Sequence, residues 1–301
     1  MTSIYEKIDR NNMYPFRDIN RVREVHAQIE KLVERERPDP EEFRGILSDS
    51  EIDEDLKKVQ ELEVRWSQSN DQETNEIKMK SDIAEYMIYK NLGGWMNQSA
   101  VPLMTAKPDD YLRGVDLIIE SENGEKENGK DIEHLGIGID VALASERGFS
   151  ASVEKKTKKV RQILKSGKMT EAKYVSGGSY EGKIENLPYT ILSIGPSHVE
   201  QLFSNVLRKD QSEKEKNHIL KYIVAYQIVL QLGTYYDVAN KTGKKAMAYE
   251  IGMANNMAMD IFGHSINELQ MNPEIWEKVA HDQGTKEIAD FCDALQKELT
   301  N

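Results

Sequence analysis

"HLGIGIDVALAS", residues 134–145, decides the fold. Leu135, Ile137, Ile139, Val141 and Leu143 alternate with small residues, the pattern of a strand buried on both faces. At its centre stands Asp140. A carboxylate without a partner is costly to bury, so such a group protonates, pairs with a cation or holds a metal. The sequence on either side has to supply that partner.

Upstream, "GVDLIIES" (114–121) reads as a second strand, joined to the first by the polar, glycine-containing "ENGEKENGKDIE" (122–133). Together they predict a β-hairpin with a long loop. Neighbouring antiparallel strands lie about 5 Å apart and same-face residues recur with period 2. Asp116 and Asp140 therefore reach one face near the same end. Two such carboxylates do not easily both stay ionised without a cation, and a divalent metal, Mg²⁺ or Mn²⁺, satisfies both with oxygen ligands. The helix expected over 75–92 contains "SDIAEYMIYKNL", in which Glu85 shares a face with Ser81, Ile88 and Leu92 and offers a third ligand. A solvated glutamate is the alternative.

Downstream, a basic amphipathic helix is expected over Ser152 to Ser166, with the apolar stripe Val153, Val160, Ile163 and Leu164. Lys156 falls on that stripe and points towards the sheet, whereas Lys155, Lys158 and Lys159 fall on other faces, towards solvent. An inward lysine beside two acids can orient a water and stabilise developing phosphate charge; the alternative is a packed stem with its ammonium in water.

Around this core the chain is helical. "RDINRVREVHAQIEKLVERER" (17–37) carries one apolar stripe and ends at Pro38 and Pro40, and the next helix starts at a Ser50 cap. The helix over 75–92 is closed by Gly93–Gly94, a C-terminal signal. "SAVPLMTA" (99–106) and "LPYTILSIG" (187–195) supply two more strands, and "SHVEQLFSNVLRK" (197–209) returns to helix. "NHILKYIVAYQIVLQLGTYYDVA" (217–239) is apolar over most of its circumference and predicts a central buried helix. The methionines of "KKAMAYEIGMANNMAMDIF" (244–262) read as core filling. The expected fold is α+β (mixed α/β): a small four-stranded sheet flanked by helices. The regions are an N-terminal helical part (1–74), an α/β core (75–209) and a C-terminal helical part (210–301) packing on it.

The 301 residues are 39% hydrophobic and 31% charged, with no run of 18 apolar residues and no basic-then-apolar leader. That argues against a membrane span or secretory signal. A single cysteine, Cys292, excludes an internal disulfide framework and a Cys-rich zinc site, and the expected compartment is the reducing cytoplasm. The net charge of −12 disfavours broad binding to nucleic acid. Locally the balance reverses: Ala151 to Lys183 holds nine Lys and Arg against three Glu. Lys158, Lys159, Arg161, Lys165 and Lys168 are the residues expected to track a nucleic-acid backbone, with a solvated helix face as the alternative. The histidines, His26, His134, His198, His218, His264 and His281, are dispersed, and His198, just past the fourth strand, is the one to watch. Gly136 and Gly138 precede Asp140 within the strand, unlike a phosphate loop, and neither a P-loop nor G-x-S-x-G is present.

The order helix, three strands, helix, strand over 75–209, with acids at Glu85, Asp116 and Asp140, resembles the PD-(D/E)XK nuclease-like superfamily. The resemblance implies a restriction-endonuclease-like core and Mg²⁺-dependent hydrolysis of nucleic-acid phosphodiesters by an activated water. Glu85 would match the helix acid, Asp116 the first strand acid and Asp140 the second. The family's lysine position is Ala142 here. Some members supply that lysine from the next helix, which would make Lys156 the replacement and Lys155 a reserve. The alternative is a catalytically inactive nuclease-like scaffold, a binding or assembly module meeting protein partners through its helical ends, with Asp116 and Asp140 in structural salt bridges to lysines. "GIGID" (136–140) also resembles phosphopantetheinyl transferases of the holo-acyl-carrier-protein synthase type, with "WEKVA" at Trp276 as the only further echo.

Overall fold

The computed structural model describes residues 18–68, 72–121, 126–127, 130–131, 135–144, 151–177, 180–206 and 218–300. His134, most of the loop 122–133 and the expected core boundary at 209/210 lie outside them.

The centre is a four-stranded mixed sheet in the order β1 (Ala100–Met104), β2 (Leu117–Ser121), β5 (Leu135–Leu143), β8 (Tyr189–Ile194). Strands β1, β2 and β5 run antiparallel, and β8 lies parallel to β5. The two-residue strands β3 (Lys126–Glu127) and β4 (Lys130–Asp131) pair within the β2–β5 connection. A parallel neighbour needs a crossover. Here it contains α5 (Ala151–Ser166) and the hairpin β6 (Thr170–Gly177) and β7 (Tyr180–Leu187). Local sequence patterns predict no strand over 167–186. The hairpin explains two glycines of β5, because a Cβ on Gly138 would lie 2.9 Å from Leu187 Cδ2 and one on Gly136 3.2 Å from its Cδ1. Gly136 and Gly138 admit Leu187 of the hairpin against the sheet.

Helices surround the sheet. α1 (Ile19–Glu36) starts at Asp18, whose carboxylate accepts from Asn20 N, and buries Val22, Val25 and Ile29. A 3-10 turn (Pro40–Phe43) leads to α2 (Asp49–Ser67), whose N-cap is Ser48 and not the expected Ser50. α3 (Gln72–Trp95) runs through Gly93 and Gly94. Those glycines do not end it, since Leu92, Trp95 and Met96 are buried, and their packing outweighs a propensity cost of about 1 kcal/mol per glycine. α4 (Lys107–Arg113), a single short helix unforeseen in the sequence, joins β1 to β2. After α6 (Pro196–Val206), the C-terminal part comprises α7 (Ile219–Lys241), α8 (Lys245–Met271), α9 (Pro273–His281) and α10 (Gln283–Thr300). Of the methionines in α8, Met247 and Met257 are buried and Met259 is exposed. One hydrophobic core runs from Val22 of α1 to Leu295 of α10 and includes Ile137, Ile139 and Val141 of the sheet. No described helix is long and apolar enough to cross a membrane.

α7 is buried along most of its length, as its all-round apolarity requires, and among its buried polar residues Gln227 and Gln231 are fully buried. Gln231 accepts from Ile191 N at 2.9 Å and donates to Ile191 O at 2.7 Å. Gln227 does the same for Ser193, at 2.9 Å in both directions. The two amides satisfy the backbone groups on the side of β8 turned away from β5. Replacing Gln231 by Leu leaves a buried N–H and C=O of Ile191 unpaired, with an expected loss of about 2–4 kcal/mol in urea unfolding.

His218 caps the same helix, its Nδ1 accepting from Leu220 N at 3.2 Å. Burial, and secondarily the neighbouring His198, push its pKa down from 6.5 to about 4. The unfolded chain therefore binds the extra proton first as pH falls. The stabilisation His218 provides above pH 6.5 is lost as pH drops towards about 4. Asn at 218 caps without titrating. Melting temperatures of His218→Asn and wild type should diverge in favour of the variant as pH is lowered through that window.

Candidate metal centre

The ladder between β2 and β5 sets the geometry. Leu117 pairs with Ile139, and continuing this register places Asp116 opposite Asp140 on one face. Asp116 N donates to Ile139 O at 2.8 Å, and Asp116 Oδ2 accepts from Val141 N at 2.7 Å. That second bond fixes one carboxylate oxygen of Asp116. Both aspartates are buried, 7% and 4% exposed.

On one side of Asp116 lie Glu85 of α3 and Asp110 of α4. These three carboxylates each bring an oxygen within 4.8 Å of the others'. Glu85 comes from the buried flank of α3 that also carries Ile88 and Leu92. Asp110 is delivered by α4, which Pro108 opens near its N-terminus and Gly114, at φ +59°, closes in the left-handed conformation. α4 is tied down by its neighbour Asp109, fully buried, whose oxygens accept from Lys173 N and Tyr174 N of β6 at 2.9 Å each. Arg37, the residue that ends α1, donates one nitrogen, Nη2, to Glu85 Oε1 at 2.9 Å and to Asp110 Oδ2 at 2.7 Å. Burial, reinforced by Asp116, holds the Glu85 carboxyl well above its ordinary range despite Arg37. Burial pushes Asp110 up to about 7, with Arg37 opposing and Asp116 adding to the shift. Burial alone would lower the pKa of Arg37, but Glu85 and Asp110 hold it above its ordinary value.

On the other side lies Asp140. Lys156 pairs with its Oδ1 and also donates to Val141 O at 2.9 Å, while Tyr189 of β8 donates to its Oδ2. Lys156 thus points at the sheet, as its place on the α5 stripe requires. Lys159 does not follow the expectation of a solvated, backbone-tracking residue. It is drawn inward, donating to the carbonyls of Arg113 and Gly114 with its Nζ 3.6 Å from the centroid of the Tyr189 ring. Burial lowers its pKa to about 7, against the pull of Asp116 and helped by Lys156. An ideal wheel missed this because a lysine stem spans several ångströms and carbonyls at the end of α4 lie within reach.

The remaining expected residues are dispersed. Lys155 and Lys168 are exposed, and Lys158 pairs with Glu154 of its own helix at 2.8 Å. Arg161 and Lys165 both bind Glu298 of α10, at 3.1 and 2.6 Å, which turns these two cations towards the C-terminal helix. His198 binds Asp282 at 3.0 Å, away from the acidic cluster. The cluster thus brings together Glu85 and Asp116 with Asp110, whereas Asp140 stands on the lysine side. Asp110 and Arg37 were not foreseen, and Lys159 was expected at the surface rather than turned inward. The signal for Asp110 was "KPDDYLRG" (107–114), a Pro-opened, Gly-closed helical turn with two acids in its first turn.

A cleft of about 700 Å³ opens onto Glu85, Asp110 and Arg37. Its walls include Trp66, Lys78, Lys107 and Tyr111. No family model, curated protein or solved structure matches this chain. The site is therefore read from its own chemistry. Three carboxylate oxygens with such separations are a hard-oxygen donor set, of the kind that Mg²⁺, Mn²⁺ or Ca²⁺ takes at about 2.0–2.6 Å. A guanidinium resting on two of them marks where positive charge is favourable.

Lys156 and Asp140 are both largely buried, at 18% and 6% side-chain exposure. Lys156→Met should cost about 3–5 kcal/mol, because it leaves a buried carboxylate with only Tyr189. The double change with Asp140→Asn should recover most of that loss in urea unfolding. Additive losses would show that the two residues are not coupled.

Proposed function

We propose that this chain is a metal-dependent nuclease-like hydrolase of nucleic-acid phosphodiesters. The observation that carries the reading is the convergence of Glu85, Asp110 and Asp116 from α3, α4 and the start of β2. The donor chemistry fits a divalent cation, Mg²⁺ or Mn²⁺, with these residues as its ligands. Such a cation, when bound, supplies an activated water and charge stabilisation at the phosphoryl group.

The chain's own residues divide the remaining work. Asp116 brings a carboxylate oxygen to the cluster while its Oδ2 accepts from Val141 N. Asp140 holds Lys156 beside the sheet and is itself steadied by Tyr189. Lys156, paired with Asp140, and Lys159, over the Tyr189 ring, place positive charge near Asp116 that would counter a phosphate's charge. Lys159, with its pKa lowered to about 7 by burial, holds a proton that is exchangeable near neutral pH. Lys155, Lys158 and Lys168 lie at the surface of the same basic segment and suit backbone contact; Lys159 is withdrawn from that role. The order of elements from α3 to β8 and the acids they carry support the resemblance to PD-(D/E)XK proteins.

The ion pair between Lys156 and Asp140 favours a second reading, a nuclease-like scaffold whose acids are structural and whose helical ends meet protein partners. Asp116→Asn separates the two. The amide oxygen still accepts from Val141 N, so the variant stays folded on either reading. For a hydrolase, cleavage of labelled single- and double-stranded DNA and RNA in millimolar Mn²⁺ should fall by about a hundredfold or more. Intact substrates with wild-type protein under those conditions would favour the scaffold.

A further inference from the structure

Two buried carboxylates, Glu85 and Asp116, and the half-buried Asp110 converge on one small volume, and a single guanidinium answers two of the three through one nitrogen. Nε of Arg37 is buried without a hydrogen-bond partner, so the side chain is not in a bidentate fork and gives up part of its bonding capacity to reach both acids. The neighbouring backbone is held independently. Glu36, one residue earlier, accepts from Tyr89 Oη at 2.7 Å and Lys90 Nζ at 2.5 Å, both on α3. Pro38 follows, and Arg37 N bonds back to Val33 O at 2.9 Å. The end of α1 therefore stays docked whatever the guanidinium does. The cleft of about 700 Å³ has Arg37 in its lining, together with Glu34 and Asp39.

Resting on the reading of Glu85, Asp110 and Asp116 as a metal centre, we propose that Arg37 is a built-in competitor cation that occupies the Glu85–Asp110 pair and swings into the cleft when a divalent metal enters. A metal ion and a guanidinium would share the same two oxygens, so they exclude each other by contact as well as by charge. The consequence is a centre that responds to metal concentration. At low metal the acids are neutralised from within, and at high metal Arg37 is released into the cleft that leads to the site. The released guanidinium then faces the route of entry, where it suits a phosphate oxygen.

Calorimetric titration with Mn²⁺ alone tests this. Arg37→Gln should bind at least tenfold more tightly than wild type, Arg37→Lys should stay close to wild type, and Asp116→Asn added to Arg37→Gln should abolish the gain. In wild-type protein, which avoids any question of variant folding, Arg37 should resist 4-hydroxyphenylglyoxal without metal and react in saturating Mn²⁺, read by peptide mass mapping. Equal affinity in wild type and Arg37→Gln, with Arg37 unreactive throughout, would overturn the competitor role and leave the metal centre standing. No Mn²⁺ binding by either protein, under any loading, would overturn the metal centre and this inference with it.

Discussion

The antiparallel register that sets Leu117 against Ile139 places two carboxylates side by side inside the protein, and the surroundings answer that placement. Asp116 is held by a backbone amide of β5, and Asp140 by a lysine from the crossover helix and a tyrosine from the parallel strand. Two further acids enter from helices, Glu85 from α3 and Asp110 from α4, the short helix that leads directly into β2. Arg37 answers Glu85 and Asp110 and Lys156 answers Asp140, while Lys159, on the same helix as Lys156, is held by carbonyls at the end of α4. Breaking the register by one residue would turn every side chain of β5 to the opposite face and take Asp140 away from Lys156. The site and the sheet are thus specified by the same pairing.

Much of the fold was legible because it is written in local patterns. The strands at 100–104, 117–121, 135–143 and 189–194 follow from short apolar runs bounded by polar or glycine-containing stretches, and α5 from its stripe. Where local signals misled, a longer-range packing term decided. Gly93 and Gly94 look like a helix end, yet Trp95 and Met96 find partners in the core, and that burial carries the helix past them. The β6–β7 hairpin carries the turn signal "SGGSYEG" (176–182), which the surrounding lysines masked in a charge-based reading. Gly136 and Gly138 could be seen to be no phosphate loop, but their reason, room for Leu187, needs the hairpin in place.

The centre was half legible for a related reason. Asp116, Asp140 and Lys156 betray themselves by interrupting apolar patterns, since a charged residue on a buried stripe has to be explained. Asp110 and Arg37 interrupt nothing. One sits in a short polar helix and the other at the last turn of an amphipathic one, where charge is ordinary. Only the folding of α1 and α4 against α3, across 48 residues from Arg37 to Glu85, makes them neighbours. Lys159 is similar: its helix position suggests water, while the carbonyls of Arg113 and Gly114 at the end of α4 draw its ammonium inward.

Gln227 and Gln231 bear on how this molecule meets others. β8 is a terminal strand of its sheet, and such strands invite a further strand, from a partner or from a second copy, to add on through main-chain hydrogen bonds. The two amides already hold the Ile191 and Ser193 groups that such a strand would use, and α7 lies over them. Growth of the sheet in that direction is closed at the level of the backbone. Association by strand addition, along with the misassembly it permits, has no purchase on the β8 side of this fold.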